Sequence, residues 1–169
     1  TAAKGLTGSR PGPVQINLAF REPLSSSEPN ANNIELEPLE IELSEDELEF
    51  AILDGQVPTI VVAGAESGPE ANELAEAFGW PIFAEPSSGA RFGENVVLAY
   101  RRLIDQQPEL TSRIGRVIVF GKPTLSRQVI RLMYREDIEV IVVRSNSMGK
   151  FDVSRRATAF VDEVTVNSE

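Results

Sequence analysis

The sequence predicts a three-layer α/β domain with a mainly parallel sheet of five to six strands. The first observation is a series of short apolar runs, which begin at Thr59, Pro81, Arg116 and Ile138. The second is that helical segments of about 10 residues separate these runs, as in βαβ units. The third is that the runs are apolar at nearly every position, which is typical of strands covered on both faces. Together these observations predict a Rossmann-like domain with helices on both sides of the sheet.

The first part of the chain carries weaker signals. Residues 1–13 are predicted to be the tail of a preceding domain and a linker, and residues 14–169 a single α/β domain. Val14–Leu18 reads as a short buried strand after a Gly-Pro turn, and we expect it to join the same sheet. An acidic connector is predicted at about 25–56. Within it Ser44 and Glu47 fit a capping box, so Ser44–Leu53 is either a short helix or more of the solvated connector.

The βα series begins after this connector. A helix with Pro at its first position and Gly79 as its stop follows the first strand of the series. The predicted elements, in order, are the strand Thr59–Ala63, the helix Pro69–Phe78, the strand Pro81–Ala84, the helix Asn95–Ile104, the strand Arg116–Phe120, the helix Leu125–Tyr134, the strand Ile138–Val143 and a last strand near Val161–Val166.

Composition excludes several classes of function. The chain of 169 residues has no Cys and no His, which excludes disulfides and any Ser-His or Cys-His catalytic pair. A net charge of −10 argues against nucleic acid as a partner. No run of about 18 apolar residues is present, so no membrane span is predicted. With no signal peptide before the first strand, we expect a cytoplasmic protein.

The charge is unevenly distributed along the chain. Glu22–Ala90 has 16 acids and no Lys or Arg, whereas the segment from Arg91 onward has 13 bases and 10 acids. One interpretation is a solvated acidic face. The other is that the basic half faces an anionic ligand.

The turn after the first strand of the βα series does not have the dinucleotide fingerprint. Gly64 and Gly68 are four residues apart and do not fit G-x-G-x-x-G, and Glu66 lies where a pyrophosphate would approach. The glycines are therefore interpreted as turn residues, with an independent nucleotide-binding module as the alternative function.

Three segments carry a resemblance to a known family. They are PGPVQINLAFREPL at Pro11–Leu24, GWPIFAEPSSG at Gly79–Gly89 and VIVFGKPTLSR at Val117–Arg127. They resemble the middle domain of the MenD family, the thiamine-diphosphate-dependent synthases of 2-succinyl-5-enolpyruvyl-6-hydroxy-3-cyclohexene-1-carboxylate. The alternative is the middle domain of another thiamine-diphosphate enzyme, such as a decarboxylase, against which the Arg-Glu-Pro-Leu segment argues. The acidic insert at 28–54 has no counterpart in the family pattern.

The resemblance implies an enzyme that decarboxylates 2-oxoglutarate and adds the succinyl unit to isochorismate in menaquinone biosynthesis. It implies thiamine diphosphate and Mg²⁺ held between the N-terminal and C-terminal domains of a homo-oligomer. For this chain it implies no catalytic residue, no metal ligand and no bound cofactor. The expected role of the domain is structural, with a regulatory role as a further expectation.

Four basic residues are the candidates for sites. Arg127, near the start of the helix after the strand 116–120, is the candidate for binding a substrate carboxylate, or else a solvated helix residue. Lys122, Lys150 and Arg91 follow strand ends and are candidates for a regulatory anion site at the carboxyl edge of the sheet. We expect the helix that starts near Pro123 to add unpaired N–H groups to this site, and an aromatic carboxylate from later in the pathway is the natural effector. The alternative is that these lysines serve solubility.

Overall fold

The computed structural model of the chain describes residues 15–17, 19, 21, 49–144 and 151–167. The chain divides into two compact units, Thr1–Asp46 and Glu47–Glu169. The described residues of the first unit are exposed and lie outside any helix or strand. Every element below belongs to the second unit.

The second unit contains seven strands and four helices in its described residues. The strands are β1 (Phe50–Asp54), β2 (Thr59–Ala63), β3 (Ile82–Ala84), β4 (Arg116–Phe120), β5 (Glu139–Val143), β6 (Ala159–Val161) and β7 (Glu163–Asn167). The helices are α1 (Glu70–Phe78), α2 (Tyr100–Gln106), α3 (Pro108–Thr111) and α4 (Arg127–Met133).

The main sheet has five strands in the order β3-β2-β4-β5-β6, and all its neighbouring strands are parallel. This confirms the predicted fold class. From β2 the sheet grows in one direction to β3 and in the other to β4, β5 and β6. The point where the order reverses, between β2 and β4, is where open α/β sheets place their ligand crevice.

Both faces of the main sheet are covered, as the apolar runs predicted. On one face Val61 and Ile118 pack in a core that includes Ala71 and Ala75 of α1. On the other face the neighbouring residues of β2 and β4 pack against Tyr100 of α2 and against α4. The alternation of side chains along each strand therefore fills two separate cores, one on each side of the sheet.

A second, two-stranded sheet pairs β1 with β7 in parallel. The prediction of a helix or connector over Ser44–Leu53 is therefore wrong for its described end, because Phe50–Leu53 lies in β1. The capping-box signal is local, whereas the strand depends on a partner more than 100 residues away, as the Glu49 N–H to Asp162 bond illustrates. The connector as far as residue 48 lies outside the described residues.

The predicted helix Asn95–Ile104 begins too early, since α2 starts at Tyr100. The segment before it pairs with β3 instead: the Ile82 N–H donates to the Asn95 carbonyl at 2.9 Å, and the Val97 N–H donates to the Ile82 carbonyl at 3.0 Å. The apolar residues of this segment have helical spacing, but the exposed edge of β3 offers their backbone groups a partner.

Two further strand predictions need correction. The single last strand near Val161–Val166 is two strands, because β6 ends at Val161 in the main sheet and β7 begins after Asp162 in the small one. Residues 15–17 of the predicted strand Val14–Leu18 lie outside any strand, and Ile16 is 63% exposed. A short apolar run does not specify a partner strand, so periodicity alone could not place it.

Candidate functional site

The candidate site is the carboxyl edge of the main sheet, where three loops follow neighbouring strands. Residues 64–69 follow β2, residues 85–99 follow β3, and residues 121–126 connect β4 to α4. The Gly89 N–H donates to the Ser67 carbonyl at 2.9 Å, which holds the first two loops together. The predicted candidates Lys122 and Arg91 lie in these loops, and Arg127 directly follows the third.

The loops after β2 and β4 close over the point where the strand order reverses. Ala65 and Lys122 exchange backbone hydrogen bonds of 3.1 and 2.7 Å, and the Gly64 N–H donates to the Phe120 carbonyl at 2.9 Å. A Cβ added at Gly64 would collide with the backbone of Lys122, and one at Gly121 would collide with the Ala65 carbonyl. Both glycines therefore allow backbone-to-backbone contact between the loops after β2 and β4.

Lys122 has a partner within the protein. Its Nζ lies 2.6 Å from an Oε1 of Glu66, and the two side chains are 36% and 45% exposed. Glu66 adopts a φ of 67°, which is uncommon for a residue other than glycine. The ammonium group that the sequence assigned to an external anion is thus compensated by a carboxylate of the neighbouring loop.

Glu85 forms hydrogen bonds with backbone N–H groups of the loop between β4 and α4. Its carboxylate accepts hydrogen bonds from the N–H groups of Thr124 at 3.1 Å, Leu125 at 2.8 Å and Ser126 at 3.0 Å. The helix expected near Pro123 begins at Arg127, with Ser126 as its N-cap. The N–H groups expected to attract an external anion therefore already bind an internal one.

Arg127 is the first residue of α4 and is exposed. Its guanidinium makes no hydrogen bond or ion pair with the described part of the chain. It lines a surface groove of about 500 Å³ together with Gln128, Ile130, Arg131 and Tyr134. Arg131 is held by Asp105 at 2.8 Å, so Arg127 is the guanidinium of this groove that is available to a ligand.

The remaining candidates do not form a cluster with Arg127. Arg91 is exposed in the loop after β3, and no described residue pairs with its side chain. Lys150 lies outside the described residues. The regulatory anion site therefore stays a prediction, with Lys122 already paired to Glu66.

A cavity of about 530 Å³ opens at the same edge of the sheet, beside the ends of β4 and β5. Four carboxylates and one guanidinium line it: Glu70, Glu73, Asp162, Glu163 and Arg144. Arg144 bonds to Asp162 through two nitrogens, so the lining is mainly negative and does not favour an anion. Residues 49–144 and 151–167 contain no group of three or more acids placed to hold a metal ion.

Sequence reasoning missed the role of Glu85, although the residue stands in one of the segments that carry the family resemblance. The available signal was a glutamate directly after the apolar run Ile82–Ala84, at the buried end of a strand. Such a position requires a hydrogen-bonded partner for the carboxylate, but the sequence does not show which loop supplies it.

Comparison with known proteins identifies the family. A 2-succinyl-5-enolpyruvyl-6-hydroxy-3-cyclohexene-1-carboxylate synthase of Leifsonia xyli subsp. xyli is 45% identical over 158 residues, which are 92% of this chain and 26% of the relative. The enzyme of the same name from Kineococcus radiotolerans is 40% identical over 83% of this chain and 26% of its own length. That from Renibacterium salmoninarum is 36% identical over 97% of this chain and 30% of its own length. This chain belongs to the MenD family.

The match confirms the resemblance found in the three sequence segments. No protein-family model matches the chain. The chain spans between 26% and 30% of the length of these three curated relatives. In the described ranges, no helix has the length and apolar composition needed to cross a membrane.

Proposed function

We propose that this MenD-family segment is the non-catalytic middle domain of a synthase in menaquinone biosynthesis. The whole enzyme decarboxylates 2-oxoglutarate and adds the succinyl unit to isochorismate, as a cytoplasmic homo-oligomer. Thiamine diphosphate and Mg²⁺ supply the decarboxylation chemistry and are held by the N-terminal and C-terminal domains. The relatives bear the name of this synthase, and the chain spans only a part of each.

The observation that carries this proposal is the closed crevice between β2 and β4. In an open α/β sheet this is the place for a phosphate-containing ligand. Here the Ala65–Lys122 backbone pair fills it, and Glu66 adds a negative charge beside it. The same closure disfavours the alternative of an independent nucleotide-binding module, and it supports a domain that binds no cofactor.

The experiment compares cofactor binding by the 169-residue chain and by the full-length protein. Thiamine diphosphate with Mg²⁺ is expected to raise the melting temperature of the full-length protein, since a ligand at 100 times its Kd adds about 2.7 kcal/mol to the stability. It is expected to leave that of the 169-residue chain unchanged, and this chain is expected to release no CO₂ from 2-oxoglutarate. A saturable cofactor-dependent shift of the isolated chain would contradict the proposal.

Within the whole enzyme we assign Arg127 to the binding of a substrate carboxylate. Its guanidinium is exposed at the start of α4 without a partner among the described residues, and its planar donors suit a two-oxygen anion. In the full-length enzyme Arg127→Ala is expected to raise KM for 2-oxoglutarate or isochorismate by about tenfold or more, as the loss of a charge-assisted hydrogen bond does.

Arg131→Ala is the matched control for Arg127→Ala. Arg131 lies one turn further along α4 and pairs with Asp105 at 2.8 Å. This variant removes the same charge from the same helix and is expected to leave KM close to the wild-type value. Equal KM values for both variants and the wild type would contradict the proposed role of Arg127 in substrate binding.

A further inference from the structure

Glu85 is an acid in an enclosed position without a basic partner. It follows the last residue of β3, its exposed fraction is 0%, and its own N–H donates to the Ala63 carbonyl of the neighbouring strand at 2.8 Å. None of the ion pairs among the described residues includes it. A buried carboxylate needs compensation, and here the compensation consists of backbone N–H groups.

These N–H groups belong to three consecutive residues of one loop. The Oε1 atom accepts from Leu125 and Ser126, and the Oε2 atom accepts from Thr124. Successive backbone N–H groups that converge on one point form a concave site for an anion. Such sites commonly bind phosphate, but this one encloses the carboxylate of Glu85, which directly follows β3, the strand on the other side of β2 from β4.

We infer that Glu85 is the built-in anion of this domain and the residue that positions Arg127. The carboxylate gathers the N–H groups of residues 124–126 and so fixes the loop that leads into α4. Ser126, the last residue that it binds, is itself 1% exposed and is the N-cap of the helix that Arg127 begins. The direction in which Arg127 leaves the sheet edge therefore depends on a side chain from another strand.

The first test uses the 169-residue chain and does not depend on the proposed function. Glu85→Ala empties the anion position and leaves room for formate, the smallest carboxylate. Formate at constant ionic strength is expected to raise the melting temperature of Glu85→Ala saturably, against a chloride control. The wild type and Glu85→Gln, in which the position stays filled, are expected not to respond. Equal responses of all three proteins would overturn the inference.

Glu85→Gln keeps the test decisive if Glu85→Ala does not fold. The glutamine retains one acceptor oxygen but presents an NH₂ group to one of the backbone donors, which leaves that donor without an acceptor. Hydrogen exchange at the Thr124–Ser126 amides is expected to accelerate by about tenfold or more, the effect of one lost hydrogen bond to a charged group. Amides in the centre of β4, such as that of Ile118, are expected to keep their rates. Unchanged exchange at Thr124–Ser126 would overturn the inference.

The second test measures the positioning of Arg127 in the full-length enzyme, and this step rests on the proposed function. Glu85→Gln is expected to raise the same KM that Arg127→Ala raises, with a smaller effect on kcat. The double variant is expected to have the KM of Arg127→Ala alone, because a misplaced arginine and a missing one have the same consequence. Independent, multiplicative effects would overturn the link between the two residues.

The two tests separate the inference from the proposed function. If Arg127→Ala leaves the kinetics unchanged, the proposed role of Arg127 fails, and formate rescue and amide exchange still decide whether Glu85 is the built-in anion. If the exchange at residues 124–126 does not change while Arg127→Ala raises KM, the proposed function stands and the inference about Glu85 fails.

Discussion

Replacing Gly121 by alanine tests the closure of the loops over the sheet. Gly121 has a φ of 66°, and an added Cβ would collide with the Ala65 carbonyl and lie 2.7 Å from the Ser67 nitrogen. Gly79, which ends α1, provides a matched control. Its φ is 67°, and an added Cβ would have nothing within 4 Å.

The two substitutions share one energetic cost and differ in another. An alanine in the left-handed region costs about 1–2 kcal/mol at either position. Forcing an atom into a closely packed contact adds about 1–3 kcal/mol, and only Gly121→Ala has this contribution. Gly121→Ala should therefore be less stable than Gly79→Ala by about 1–3 kcal/mol, and each kcal/mol corresponds to roughly 2–4 °C in melting temperature for a chain of this length.

Urea unfolding of the 169-residue chain, followed by circular dichroism, measures this difference. The unfolding midpoints of the wild type and both variants are compared. When the m values are the same, a change in midpoint reports a change in the free energy of unfolding. Equal destabilisation by the two substitutions would refute the argument, because the contact between the loops would then contribute nothing beyond the backbone conformation.

Two further predictions concern pH and the core. Burial raises the pKa of Asp152, but hydrogen bonds from the Ser154 hydroxyl and from backbone N–H groups outweigh it and hold this pKa below its ordinary 3.8. The stabilisation by Asp152 is therefore present at neutral pH and lost as the pH falls through the lowered folded-state pKa. When the pH is lowered below about 4, the free energy of unfolding should fall less for Asp152→Asn than for the wild type. Parallel curves of stability against pH for the two proteins would contradict this. In the core, Ile118→Ala should lower the free energy of unfolding in urea by about 2–5 kcal/mol. The control Leu98→Ala changes a side chain that is 71% exposed and should lower it by less than about 0.5 kcal/mol. Similar losses for both variants would contradict the burial of Ile118.

The sequence predicted the main sheet well because its strands carry their own signal. The runs at Thr59–Ala63 and Arg116–Phe120 are apolar at every position after the first, and the strands have the predicted bounds. Where the pattern depends on a partner, prediction failed. Phe50–Asp54 became a strand through β7, and Val96 lies beside β3 instead of in a helix, since the available edges are set by the fold.

The candidate site was predictable in position but not in its internal pairing. The sequence placed Lys122 at the carboxyl edge and marked Glu66 as unfavourable for pyrophosphate. It did not show that these two residues would pair, because the contact depends on β2 and β4 being neighbours across a separation of 56 residues. The 41-residue separation between Glu85 and Ser126 hid the second contact in the same way.

These pairings connect the acidic part of the chain with the basic part. Glu66 and Glu85 come from the segment without bases, and parallel pairing brings them to the loop after β4, in the basic half. The Glu66 carboxylate compensates the Lys122 ammonium group. The Glu85 carboxylate accepts hydrogen bonds from the backbone N–H groups of residues 124–126. Lys122 is thus compensated inside the domain, at the edge where an external anion was expected, whereas neutral backbone N–H groups stabilise the Glu85 carboxylate. Neither acid reaches the guanidinium of Arg127, which is the group that we assign to a carboxylate ligand. The loop that leads into its helix is the one that Glu85 binds.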